Sequence, residues 1–255
     1  MDSATTDLWT LLATSQGAAM VSMLATGLGP LPLLWGGTRL RDFLGEAYAF
    51  AGGLMVAAAF FNLMAPGLER ANVMPVAAGL FLGCLAFWWA DRAIRGRDWK
   101  LWDLETAGSR RIALILGTMF VHSLPEGIAI GVAYGSGEPG FGLYMAVAIT
   151  IHNIPEGLAI GVPMRSEGLS VGRASFWAII SSLPQPIGAL PALLAVWAFQ
   201  PLLPYLLGFA AGAMMFLVLA EMLSEALEQT NPIRMAWGFM IGFLVMLLLQ
   251  YLMSA

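Results

Sequence analysis

The sequence lacks most of what keeps a soluble protein in water. Only 11% of its 255 residues are charged, against about 25% in an ordinary soluble domain. A water-soluble fold of this size hides about 70–75% of its surface, too little for a composition that is 59% hydrophobic. Soluble enzymes, nucleic-acid binders and disordered scaffolds are therefore excluded as classes. Cysteine occurs once, as Cys84, which rules out intramolecular disulfides and thiolate metal clusters. Cys84 lies in an apolar run and reads as a small packed or lipid-facing residue. The net charge of −4 is too small to imply a partner. The first seven residues carry Asp2 and Asp7 but no basic residue. They lack the basic region of a cleaved signal peptide, so the first hydrophobic segment is expected to stay.

What is present is apolar sequence in long runs, with a mean hydropathy of +0.77. Segments long enough to cross ~30 Å of hydrocarbon fall at 8–34, 43–66, 73–90, 112–134, 141–164, 174–199, 202–222 and 233–254. The expected fold is all-α: one polytopic membrane domain over 1–255, with eight transmembrane helices and a solvated loop at 91–111. With eight spans, the loops on one side hold eleven of the twelve basic residues, and only Arg70 falls opposite. The positive-inside rule makes 91–111 cytoplasmic and both termini extracytoplasmic. Trp9, Trp35, Trp88, Trp89, Trp177, Trp197 and Trp237 lie near span ends, as an interfacial aromatic belt requires.

Against this background, ionisable residues at membrane depth are costly and mark function by default. Both histidines of the chain are of this kind. Span four contains His122-Ser-Leu-Pro-Glu-Gly-Ile-Ala-Ile-Gly-Val132, and span five contains His152-Asn-Ile-Pro-Glu-Gly-Leu-Ala-Ile-Gly-Val162. Eight of the eleven positions are identical at an offset of thirty. His122 and Glu126 share one helical face, and so do His152 and Glu156. Consecutive spans run antiparallel, so the two faces can oppose each other near mid-bilayer about a pseudo-twofold axis, as in inverted-repeat transporters. Two imidazoles with two carboxylates make a ligand set for zinc and other divalent first-row metals. Pro125 and Pro155 are expected to kink the helices and free the carbonyls of Val121 and Ile151. Gly127 and Gly157 are expected to let the two helices approach each other.

Other polar residues extend this reading. Gln185 stands between two prolines in span six, as a neutral oxygen ligand or a hydrogen bonder at a helix break. Met55 follows Gly52-Gly53 at similar depth; composition alone makes it a lipid-facing or packing residue. Glu221 and Glu225 are either interfacial charges or the lining of a metal exit, and Asn62 suits an entrance. No zincin His-Glu-x-x-His, nucleophile elbow or Cys–His pair is present, so the chain reads as a carrier and not an enzyme. An intramembrane zinc-dependent hydrolase and a proton-coupled small-solute transporter stand as alternatives. The hydrolase would need a spare base, and the solute carrier has no use for matched His/Glu pairs.

At these motifs the chain resembles the ZIP (Zrt/Irt-like) family of divalent metal transporters, particularly its compact bacterial members. The resemblance implies import of metal into the cytoplasm, zinc first among Zn2+, Cd2+, Fe2+, Mn2+ and Cu2+. The metal is then cargo, and no cofactor is expected. It also implies a multi-pass protein of a bacterial inner membrane, two helix groups that rock against each other, and a homodimer. One metal position would use His122, Glu126, His152 and Glu156, with Met55 as a soft ligand. A second would use Ser123, Asn153, Gln185 and both glutamates. Many members carry Asn for Ser123 and Glu for Gln185, and some carry Asp for Asn153, so the second position here has lost charge.

Overall fold

Lipid offers no partner for backbone N–H and C=O groups, so every apolar run must close its hydrogen bonds internally as a helix. The computed structural model describes residues 7–36, 43–95 and 107–254. Among them are eight helices long and apolar enough to cross a membrane. They are α1 (Leu8–Thr26), α2 (Leu44–Arg70), α3 (Val73–Arg95), α4 (Ala107–Gly135), α5 (Pro139–Ser166), α6 (Val171–Ala198), α7 (Gln200–Gln229) and α8 (Pro232–Ser254). Arg39 and Arg41, and Arg97 and Lys100 of the 91–111 loop, lie outside the described residues.

Helix α3 runs on to Arg95 and α4 begins at Ala107, so both ends of the expected 91–111 loop are helical. Two further departures from the expected spans have local causes. The first helix stops at Thr26 and not near residue 34. Gly27, Gly29, Pro30 and Pro32 follow, and the chain continues in i→i−3 turns to a single helical turn at Leu33–Gly36. The second departure concerns where proline interrupts a helix. Helix α4 runs on through Pro125, and α5 through Pro155 and Pro163. The interruption is in α6, where Val171–Ser181 and Pro184–Ala198 are separate helical pieces joined at Ser182 and Leu183. Proline at the first position of a new helix loses no hydrogen bond it would otherwise make.

Four pairs of parallel helices organise the bundle: α1 with α5, α2 with α8, α3 with α7, and α4 with α6. An inverted repeat exchanging α1 with α6, α2 with α7, α3 with α8 and α4 with α5 maps this set of pairs onto itself. Helices α2 and α7, equivalent under that exchange, each contain a π-helical stretch, Ala59–Met64 and Val218–Met222. Such stretches are often functional, and these two hold Asn62 and Glu221.

Small residues set the pairing, as expected where lipid removes the hydrophobic contrast between helix and surroundings. On α4, Gly127 and Gly131 press on the backbone of Gln185 and Ala189. On α5, Gly157 presses on the Thr26 carbonyl. These glycines therefore do not bring α4 and α5 together. They seat α4 on α6 and α5 on α1, which leaves the His/Glu faces to meet between them. Across α3 and α7, the Cys84 thiol donates to the Gly212 carbonyl at 3.4 Å. At the far end of α2, Arg70 forms a forked ion pair with Glu138 at 2.8 and 2.7 Å, tying that end to the α4–α5 connection.

Candidate metal site

Both copies of the repeated motif end in the interior of the bundle. His122, Ser123, Glu126, His152, Asn153 and Gln185 are fully buried, and Glu156 is 1% exposed. Donor atoms of His122, Glu126 and Glu156 all lie within 4.8 Å of one another. The helices are cross-connected: His152 Nε2 lies 2.9 Å from Glu126 Oε1, and His122 Nε2 lies 3.9 Å from Glu156 Oε2. Each histidine therefore faces the carboxylate of the other helix, as two antiparallel copies of one motif require.

Helix α6 joins this group through Gln185, whose Nε2 donates to Glu126 Oε2 at 2.6 Å. The prolines on either side of Gln185 and the break before them turn the amide inward. Asn153 is held from the other side, its Nδ2 donating to the Ser22 carbonyl at 3.0 Å and the Ser22 hydroxyl at 2.9 Å. Ser123 donates to the Met119 carbonyl of its own helix at 3.1 Å, which leaves only oxygen lone pairs for other work.

The donor set has unspent capacity. Both nitrogens of His122, both oxygens of Glu156, Asn153 Oδ1 and Gln185 Oε1 are buried without a hydrogen-bond partner. Each such atom costs about 1–3 kcal/mol, more when charged, and folded proteins carry only a few. A cation held by nitrogen and oxygen donors would satisfy several of these six atoms on three neighbouring helices, His122 offering it one of its two nitrogens. Zinc–ligand bonds of ~2.0–2.2 Å place tetrahedral donors roughly 3.5 Å apart, close to the 3.9 Å between His122 Nε2 and Glu156 Oε2.

The remaining sequence candidates are placed less directly. Met55 is fully buried in the apolar core on α2. Asn62 is buried in the π-helical part of α2 and accepts a short hydrogen bond from the Tyr144 hydroxyl of α5. Glu221 and Glu225 are half-buried on α7, away from the three-residue cluster, and Glu225 accepts from Gln229 at 3.1 Å.

Residues of α1 escaped the sequence reading. Besides Ser22, Thr26 reaches the site's surroundings, accepting from the Ser182 hydroxyl at 2.9 Å. Their signal was the spacing of Ser15, Ser22 and Thr26, one face of an otherwise apolar helix.

A family model described as ZIP zinc transporter matches residues 103–250, more than half of the chain. A relative in Arabidopsis thaliana is 36% identical over 216 residues; the match takes in 83% of this chain but only 34% of that protein's length. Zinc transporter GufA of Myxococcus xanthus is 33% identical over 250 residues, covering 90% of this chain and 98% of the relative. Zinc transporter ZIPB of Bordetella bronchiseptica is 36% identical over 217 residues, covering 79% and 69%.

Proposed function

Because this chain belongs to the family of ZIP zinc transporters, we propose that it carries divalent transition-metal ions, zinc foremost, into the cytoplasm. The path runs through the buried cluster between α4 and α5. His122, Glu126, His152 and Glu156 ligate the ion, with the Asn153 and Gln185 carbonyl oxygens and the Met55 sulfur completing its shell as it moves. Ser123 lines a second position, and Glu221 and Glu225 line the exit. The protein works in a bacterial inner membrane with both termini outside the cytoplasm, as a homodimer. The observation that carries this reading is the set of six unpartnered polar atoms, five on a duplicated His-x-x-Pro-Glu motif and one on Gln185. Its test is uptake by proteoliposomes across a panel of divalent ions. Zinc entering at the rate of protein-free vesicles would refute it.

Ligation needs neutral imidazoles and ionised carboxylates, so metal competes with protons. Zinc affinity is expected to fall as the medium is acidified, by up to about tenfold per pH unit for each ligand proton that binding must displace. Calorimetric titration across pH 5 to 8 measures this, and a flat profile would show that binding displaces no ligand proton.

The neutral second position has its own consequence. Two dications ~4 Å apart repel by roughly 16 kcal/mol at an effective dielectric of about 20. The cluster has two carboxylates, and its other side chains are uncharged as ligands. One tightly held zinc per chain is expected after desalting, with any second ion easily lost. Gln185→Glu removes the amide that donates to Glu126 and adds a third carboxylate, so the second ion should be retained and turnover slowed. Metal counting on the purified protein decides it; two zinc ions retained by the unaltered chain would overturn the charge argument.

A further inference from the structure

Asn153 poses a question that its burial sharpens. A buried side-chain amide has two ends, and which one faces a cation decides whether it attracts or repels. Here the amide nitrogen donates to two oxygens of one residue, the Ser22 carbonyl at 3.0 Å and the Ser22 hydroxyl at 2.9 Å. Rotating the amide by half a turn would set Oδ1 against the lone pairs of that carbonyl. The nitrogen is therefore fixed towards α1 and the oxygen away from it, where Oδ1 is buried with no hydrogen-bond partner. Asn153 follows His152 and precedes Glu156 by three residues, on the same turn of α5. Helix α1 is held in register for this contact by the Ser182–Thr26 hydrogen bond and by Gly157 against the Thr26 carbonyl.

We infer that Ser22 is a positioning residue for transport: it aims the Asn153 carbonyl oxygen at the metal ion and keeps the amide's positive end away. This rests on the proposed metal path and adds a helix that carries no His or Glu to the residues controlling it. It also accounts for an amide at position 153. A carboxylate there would put an anionic oxygen beside the Ser22 carbonyl.

The test uses the full chain in proteoliposomes, with zinc as the probe and four proteins: unaltered, Ser22→Ala, Asn153→Ala and the double variant. Ser22→Ala removes one of the two oxygens that hold the amide nitrogen and leaves the backbone carbonyl. It is expected to raise the half-saturating zinc concentration severalfold, below the roughly tenfold for complete loss of a metal ligand's support, with little change in maximal rate. Asn153→Ala should give at least as large a rise, and the double variant no more than Asn153→Ala alone, because Ser22 acts only through that side chain. Additive effects, an unchanged half-saturation in Ser22→Ala, or a Ser22→Ala chain that fails to insert would each overturn the inference. Glu126→Gln run in parallel separates the two levels. If it transports normally, the metal path itself is wrong; if it is inactive while Ser22 and Asn153 act independently, only the role of Ser22 falls.

Discussion

Replacing Glu126 by glutamine is expected to lower zinc uptake by roughly 100-fold or more, above the range seen when only a ligand's supporting partner is lost. Glutamine, and not alanine, makes the result diagnostic. An amide at 126 has nearly the same shape, and its oxygen and nitrogen can still pair with Gln185 and His152, the present partners of the carboxylate. Interhelical hydrogen bonding is thereby kept while the anionic ligand is removed. If the buried His–Glu contacts serve only to hold the bundle, Glu126→Gln will insert, melt and transport like the unaltered protein. If they hold a metal, it will insert and melt normally but neither retain zinc nor carry it. His152→Ala should lose transport to a similar degree, since Glu126 would then face a void where a nitrogen ligand had stood. Uptake together with thermal melting of the purified protein distinguishes the cases.

Gly157→Ala should have an equally large effect on a different quantity. A Cβ at this position would sit 1.8 Å from the Thr26 carbonyl oxygen. The obstacle is backbone on both sides, so no rotamer change relieves it, and α1 must move away from α5. The expected cost is about 3 kcal/mol or more, the upper end for overpacking, or roughly 6–12 °C in melting midpoint for a chain of this size. Moving α1 also withdraws Ser22 from Asn153, so zinc affinity should fall with stability. Gly17→Ala is the control. That glycine lies in the middle of α1, exposed, with nothing within 4 Å of an added Cβ. Alanine there should raise stability by up to about 1 kcal/mol, the helix-propensity difference. Equal melting of the two variants would show that α1 and α5 are not locked together as the structure has them.

The residues of the candidate site were legible in the sequence because their signal is local. His122 with Glu126, and His152 with Glu156, share helical faces by spacing alone, and the repeat at an offset of thirty makes chance untenable. Gln185 was legible for a related reason, since an amide between two prolines at mid-span demands a partner. Ser22 was not. A serine in an apolar helix is ordinary, and only the approach of Asn153 from a segment 131 positions away gives it meaning. Gly127 and Gly157 were read with the wrong partners. Spacing shows that a small residue follows each glutamate, but not which neighbour occupies the space.

The all-α membrane architecture, its eight long apolar helices and the two His/Glu pairs buried at the centre could be read from the sequence alone. Lipid leaves the backbone no alternative to helix, and charge at depth is too costly to be incidental. The parallel pairing of α1 with α5 and α4 with α6, and the π-helical stretches around Asn62 and Glu221, came from the tertiary structure alone. In a bilayer both faces of a helix are apolar, so burial writes little pattern into the sequence. The choice among faces is made by close backbone packing at glycine and by hydrogen bonds between distant segments, and neither exists until the helices have met.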